Sequence, residues 1–230
     1  KDGKWTHYNK NGQIEKEGTY NVGKPDGLYT SWYENGEKSS ESTYKDGELN
    51  GLYTTSWYEN GQKKYEGTYK DGKINGLWTE WYENGQKEKE GIASGEIDRW
   101  GEKSPIKGDG KWTEWYENGQ ILLEESYKDK KLDGKWTKWY PNGKKDKEGT
   151  FKTGEFRSLG FISFKTEKWT YWDNEGKIKE QGSYSSRSIV KTKGEDGFYH
   201  GTKIGKWTET DNTSNYYGYM LHLENTDKFQ

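Results

Sequence analysis

Gly76-Leu77-Trp78-Thr79-Glu80-Trp81-Tyr82-Glu83-Asn84-Gly85-Gln86-Lys87-Glu88-Lys89-Glu90-Gly91 reads as two alternating runs joined by Asn84-Gly85. Asn-Gly between such runs signals a β-hairpin, because a two-residue type I′ turn needs φ > 0 at both central positions. Counting outward from that turn sets an expected register: Tyr82 opposite Lys87, Trp81 opposite Glu88, Glu80 opposite Lys89, Thr79 opposite Glu90 and Trp78 opposite Gly91. Period-two alternation places Trp78, Glu80 and Tyr82 on one face and Thr79 and Trp81 on the other.

Versions of this stretch fill the chain. The turn glycines are Gly12, Gly36, Gly61, Gly85, Gly119, Gly143 and Gly176, spaced mostly 24 or 25 apart with two longer steps. The leading aromatics are Trp5, Tyr29, Tyr53, Trp78, Trp112, Trp136, Trp169 and Trp207, which gives eight repeats, the last without its Asn-Gly. A fixed period of this size is the mark of a repeat array. The same count places Trp5 opposite Gly18, Trp136 opposite Gly149 and Trp169 opposite Gly182, with each ring expected to lie over its cross-strand glycine. It also pairs Thr with Glu: Thr6/Glu17, Thr30/Glu41, Thr113/Glu124 and Thr137/Glu148.

Between hairpins a second turn recurs, as Asn21-Val22-Gly23-Lys24, Lys45-Asp46-Gly47-Glu48, Lys70-Asp71-Gly72-Lys73 and Lys152-Thr153-Gly154-Glu155. Asp26-Gly27, Asn50-Gly51, Asn75-Gly76 and Asp133-Gly134 are expected to kink the chain into the next repeat. Thr54-Thr55 adds one residue to repeat three and is expected to form a bulge. The fold class is therefore all-β: an elongated array of about eight 24-residue hairpins in a single twisted, meandering antiparallel sheet of roughly sixteen strands. Residues 1–230 are expected to form one repeat domain, with insertions near 92–110, 156–167 and 185–205 and a capping strand at 216–223.

Composition fits a thin, repetitive sheet. Hydrophobic residues are 27% and charged residues 33%, but 13 Trp and 19 Tyr bring the aromatic share to 17%. Disordered chains are poor in aromatics, so the rings supply the burial. A net charge of −2 gives no field that would gather nucleic acid or anionic lipid. There are no cysteines for disulfides or thiolate metal sites. No apolar run approaches the ~20 residues of a membrane-spanning helix. The sequence opens at Lys1 and its one methionine is Met220, which is equally compatible with a cleaved signal peptide and with a trimmed sequence.

No pattern of catalytic groups stands out. His7, His200 and His222 are far apart. The carboxylates recur in every repeat, whereas a glycosidase needs two with contrasting environments in one cleft. No cofactor, metal site or enzymatic activity is expected. The second-row rings Trp32, Trp57, Trp81, Trp115, Trp139 and Trp172 are the binding candidates: flat faces flanked by Glu and Lys can stack on sugars, hold a quaternary ammonium, or receive a peptide. Their competing role is as the packing spine of the sheet.

The run Trp-Thr-x-Trp-Tyr-x-Asn-Gly-Gln-Lys, followed by Glu-Gly-Thr-Tyr-Lys-Asp-Gly-Lys and Asn-Gly in Leu52–Gly76 and begun again in Leu77–Gly91, resembles the bacterial MORN-repeat variant family. The resemblance covers nearly all of the chain except the insertions and Tyr216–Gln230. It implies a β-hairpin interaction scaffold without catalysis, in a family described as antitoxin-like and expanded in host-associated bacteria. Eukaryotic relatives are linked to phospholipid membranes, but this chain lacks the basic surface for that link. The leading expectation is a non-enzymatic scaffold for another protein, displayed at the cell surface or secreted. The alternatives are a cytoplasmic antitoxin-like protein and a carbohydrate- or choline-binding module built on the Trp ladder.

Overall fold

A computed structural model describes residues 1–95, 106–156, 160–189 and 198–209. Among these residues there is no helix, and sixteen strands run in chain order. The chain divides into two compact halves, Lys1–Gly119 and Gln120–Gln230. In the N-terminal half the strands are β1 (Gly3–Tyr8), β2 (Ile14–Asn21), β3 (Lys24–Trp32), β4 (Lys38–Lys45), β5 (Glu48–Trp57), β6 (Lys63–Lys70), β7 (Lys73–Trp81) and β8 (Lys87–Gly95), then β9 (Ile106–Lys107) and β10 (Gly110–Trp115). From β1 to β8 each strand lies antiparallel beside the next, and both β9 and β10 pair with β8. The expected all-β hairpin meander is what forms.

The hairpin register agrees with the sequence count except next to the turn. Trp78 pairs with Gly91, Thr79 with Glu90 and Glu80 with Lys89, but Trp81 then pairs with Lys87 across a register shift. Asn84-Gly85 is thus not a two-residue type I′ turn. Gly85 N donates to Tyr82 O and Tyr82 N to Gln86 O, each at 2.9 Å. Of the turn residues only Gly85 has positive φ, +81°. This is a three-residue loop closed by a glycine bulge. The reason lies in the Asn84 side chain: its Oδ1 accepts from Gln86 N at 2.9 Å, so the amide braces the loop.

The type I′ geometry appears at the return turns. Val22-Gly23, Asp46-Gly47 and Asp71-Gly72 have positive φ at both residues, and the flanking residues pair directly: Asn21 with Lys24, Lys45 with Glu48, Lys70 with Lys73. Asp129-Lys130 makes the same turn without glycine, at φ 50° and 60°. Gly27, Gly51, Gly76 and Gly134 lie within strands at positive φ and kink them. In repeat three the ladder steps from Ser56 to Thr54 and leaves Thr55 as the extra residue.

The glycine-over-ring expectation needs correcting. The backbone partners are as counted, but the ring that fills each glycine's space comes from the strand on its other side. A Cβ at Gly67 would enter the Trp78 ring, at Gly91 the Trp112 ring, at Gly149 the Trp169 ring and at Gly182 the Trp207 ring. The cause is stacking order: each glycine lies between two aromatic strands, and the ring of the following repeat leans back over it. Ring burial therefore joins repeats instead of closing single hairpins. Trp78, Trp112, Ile74, Tyr69 and Ala93 are buried in the N-terminal half, where Tyr65 stacks on Trp78 with centroids 5.2 Å apart.

The C-terminal half contains β11 (Ile121–Lys128), β12 (Lys131–Trp139), β13 (Lys145–Phe156), β14 (Gly160–Trp172), β15 (Ile178–Ile189) and β16 (Tyr199–Glu209). Lys152–Glu155 is not a turn, since β13 continues through it and Gly154 pairs with Ile162 of β14. The described part of the 156–167 insertion lengthens that hairpin and brings Phe164 and Thr166 to full burial. Of the 92–110 insertion, residues 92–95 extend β8 and 106–107 form β9. Of the 185–205 insertion, the described parts belong to β15, the Phe198 approach and β16. The expected capping strand at 216–223 lies outside the described residues. Leu132, Trp136, Phe151, Trp169 and Tyr184 form the core, with Phe198 and Trp207 packed against it. Repeat five carries Glu125 where most repeats have glycine. There the indole of Trp136 donates to Oε1 at 3.1 Å and the Tyr127 hydroxyl to Oε2 at 3.0 Å, which satisfies a carboxylate only 7% exposed.

Candidate functional site: the second-row tryptophans

Trp32, Trp57, Trp81, Trp115, Trp139 and Trp172 each end the first strand of a repeat, and all six are half-buried. They do not converge on one cavity. Each belongs to its own repeat, and the hairpin tip of the preceding repeat grips Trp57, Trp81, Trp115 and Trp172.

The grip has three parts, all from one short tip sequence. First, a tyrosine two residues before the turn Asn donates its hydroxyl to the next repeat's Trp carbonyl. Tyr33 reaches Trp57 O at 2.6 Å, Tyr58 reaches Trp81 O at 2.9 Å, Tyr82 reaches Trp115 O at 2.8 Å and Tyr140 reaches Trp172 O at 2.9 Å. Burial, followed by nearby carboxylates, raises the pKa of Tyr33, Tyr58 and Tyr82, so these phenols stay protonated donors. Second, the turn Asn amide donates to the next tip: Asn35 to Glu59 O, Asn60 to Glu83 O and Asn84 to Glu117 O, each at 2.9 Å, and Asn142 to Asn174 O at 2.8 Å. Third, the lysine two residues after the turn Gly carries its ammonium over the next ring. Lys38 lies 5.7 Å from the Trp57 centroid, Lys63 5.5 Å from Trp81, Lys87 5.8 Å from Trp115 and Lys145 5.6 Å from Trp172.

Each of these lysines is also ion-paired with the glutamate three residues on. The distances are 2.6 Å for Lys38–Glu41, 2.5 Å for Lys63–Glu66 and Lys87–Glu90, and 2.7 Å for Lys145–Glu148. At Glu148 burial alone would raise the carboxyl pKa, but the Lys145 bond and charge, joined by Lys135, outweigh it and hold the pKa below its usual value. Glu90 and Glu148 also accept from Thr79 and Thr137 at 3.3 and 3.4 Å. The resulting Lys–Glu–Trp–Thr clusters are partly solvated, where a pair is worth about 0.2–1 kcal/mol and a lysine over an indole about 0.5–1 kcal/mol.

Trp32 and Trp139 depart from the pattern in sequence: Ile14 and Ile121 stand where the gripping lysine would be. Trp172 also differs, because it borders a cavity of about 300 Å³ with Tyr140, Tyr171, Lys147 and Glu180. The rings were legible from the sequence as a row. The Tyr and Lys that grip them recur at fixed offsets from the turn, but nothing local marks that their partner is the ring of the next repeat. Trp78, in contrast, is 2% exposed and donates to Glu80 Oε1 at 2.8 Å, a packed position with no access.

Among the described residues no three His, Cys, Asp or Glu side chains group as metal ligands. No helix there is long and apolar enough to cross a membrane. His7 sits on an exposed strand beside Glu15 at 3.5 Å.

A family profile described as MORN repeat variant matches seven segments: residues 1–21, 25–46, 53–71, 74–92, 108–129, 132–153 and 168–186. No curated protein matches the chain.

Proposed function

The chain belongs to the MORN repeat variant family, and from that premise we propose that it is a non-enzymatic scaffold that binds another protein through its Trp ladder face. MORN repeats are generally protein- or membrane-interaction scaffolds and typically non-enzymatic. The observation that carries the protein-binding reading is the repeated Lys–Glu–Trp–Thr cluster. In the N-terminal half it presents half-buried rings, paired charges of both signs and a fixed repeat along one face, and aromatic residues set in a polar rim are what protein interfaces use.

The same geometry weakens the choline reading, because four of the six rings already hold a lysine ammonium where a quaternary ammonium would sit. The glycan reading keeps one specific support, the cavity beside Trp172, where two rings and charged side chains meet. Display at the cell surface or secretion, in a bacterial setting, remains part of the proposal, with a cytoplasmic antitoxin-like role as its alternative. The near-neutral charge supports neither a nucleic-acid nor an anionic-membrane partner.

The test is capture of partners from secreted and cytoplasmic fractions by the intact chain and by its Lys63→Glu/Lys87→Glu variant, beside a glycan panel. A partner held by the wild type and lost by the variant is expected. Identical recovery by both proteins would remove the ladder from the interface. Binding on the glycan panel that Trp172→Ala abolishes would move the function to the cavity.

A further inference from the structure

Asn-Gly pairs recur along the chain, and the pair is chemically reactive as well as turn-forming. A glycine nitrogen has no side chain beside it, so it can reach the amide carbon of the asparagine before it. Whether it does depends on what holds that amide, because the two atoms must first be brought together. At Asn35, Asn60, Asn84 and Asn142 both ends of the side chain are engaged. Oδ1 accepts from the backbone N–H two residues on, at 2.9 Å in the first three and 3.0 Å at Asn142. Nδ2 donates to a carbonyl of the next tip, at 2.9 Å in the first three and 2.8 Å at Asn142. A carboxamide fixed at both ends is not free to swing its carbon onto the glycine nitrogen.

Asn11 stands apart. In its turn Asn9 supplies the brace, accepting from Asn11 N at 2.9 Å and Gln13 N at 3.0 Å, so the role of the Asn11 Oδ1 is already filled. The carbonyl that its Nδ2 would use, that of Glu34, belongs to the following tip, yet among the described residues the Asn11 side chain bonds at neither end. Solvent access does not separate Asn11 from the held asparagines, since all five are exposed. The nucleophile does not separate them either. Gly12 N donates to Asn9 O at 3.0 Å, and Gly36, Gly61, Gly85 and Gly143 donate to their tyrosine carbonyls at 2.9 to 3.0 Å. In Asn50-Gly51 and Asn75-Gly76 the glycine lies inside a strand, paired with Tyr69 and Ala93, and the ladder fixes the backbone.

The structure assigns Asn11 as a site of spontaneous deamidation, with water as the co-reactant. The Gly12 nitrogen attacks Asn11 Cγ. A Cγ–N bond forms, the Cγ–Nδ2 bond breaks, and ammonia leaves with the proton from Gly12. Water then opens the cyclic imide at either carbonyl and leaves aspartate or isoaspartate at position 11. The change adds a negative charge beside Lys10, at a tip whose amide fastens no neighbour, so no tip-to-tip bond is lost. At the held asparagines the same conversion would turn a donor into a carboxylate facing the next tip's carbonyl. There, the bond that conversion would destroy is the bond that prevents it.

The test is peptide mapping by mass spectrometry of the intact chain, sampled during incubation in mildly alkaline buffer, with a parallel series in urea. In the folded chain Asn11 should convert at least about tenfold faster than Asn35, Asn60, Asn84 and Asn142, the combined worth of two hydrogen bonds. In urea these rates should draw together, because the bonds are gone and only the shared Asn-Gly sequence is left. Equal rates in the folded chain overturn the assignment. A lead of Asn11 that persists undiminished in urea overturns it too, since the cause would then be the adjoining sequence and not the fold.

Discussion

Tyr58 donates its hydroxyl to the backbone carbonyl of Trp81, 2.9 Å away and one repeat along. The bond crosses a repeat boundary, and its acceptor lies one residue beyond Glu80, where the β6–β7 pairing ends at Tyr65, so the phenol satisfies a carbonyl that this ladder does not reach. Tyr58→Phe keeps the ring and removes the bond. It should cost about 0.5–1.5 kcal/mol in urea denaturation. No loss would mean that water replaces the phenol at no cost.

Gly91 is required by a neighbour and not by its own backbone, because its φ is not positive while a Cβ there would enter the Trp112 ring. Gly91→Ala should therefore destabilise by about 1–3 kcal/mol, the range for overpacking a filled site. Adding Trp112→Ala should make the alanine at position 91 nearly neutral. A strictly additive pair in a double-mutant cycle would show that the ring is not the obstacle.

Acid should loosen the Lys–Glu–Trp–Thr clusters in a defined direction. Glu148 has a folded pKa below its ordinary 4.5, because Lys145 and Lys135 together outweigh the burial penalty. A carboxyl with a depressed folded pKa contributes stability that is fully present above 4.5 and is lost as pH falls through the lower folded value. The stability gap between wild type and Glu148→Gln should be constant from pH 7 to about 5. It should then close on further acidification, as followed by denaturation at each pH. A gap independent of pH would exclude the ion pair as its origin.

The first repeat joint is the least fastened in the N-terminal half. Asn9 replaces the gripping tyrosine and spends its Oδ1 on its own turn, accepting from Asn11 N at 2.9 Å and Gln13 N at 3.0 Å. Ile14 replaces the gripping lysine. Asp173 braces the tip of repeat seven in the same way, accepting from Glu175 N and Lys177 N. Amide exchange in β1 and β2 should outpace that in β6 and β7. Uniform protection from β1 to β7 would contradict this.

Much of the fold was legible because repeats multiply weak local signals. The Trp78–Gly91, Thr79–Glu90 and Glu80–Lys89 pairs follow from counting alone. Two turns differ from their local signals, for different reasons. Asn84-Gly85 carries the strongest type I′ signal, but the Asn84 side chain has a better use, bracing its own loop and donating to Glu117 O of the next tip. Lys152–Glu155 has turn composition, yet the lengthened β13–β14 hairpin runs through it. At Asn84 a local side-chain bond to Gln86 N outweighed the two-residue turn, and at Lys152–Glu155 a pairing with the next strand outweighed turn composition.

What the sequence determined by itself was periodicity: alternating runs, glycines at fixed intervals, and hence an all-β repeat chain with two rows of rings. These are properties of neighbouring residues, and local backbone sterics are enough to express them. What only the tertiary structure decided was which repeat each side chain serves. Trp112 fills the space over Gly91, Tyr58 holds the Trp81 carbonyl, and Lys63 lies over the Trp81 ring. Those partners are set by how successive hairpins stack, and a residue lying between two equivalent strands carries no local mark of which one it will touch.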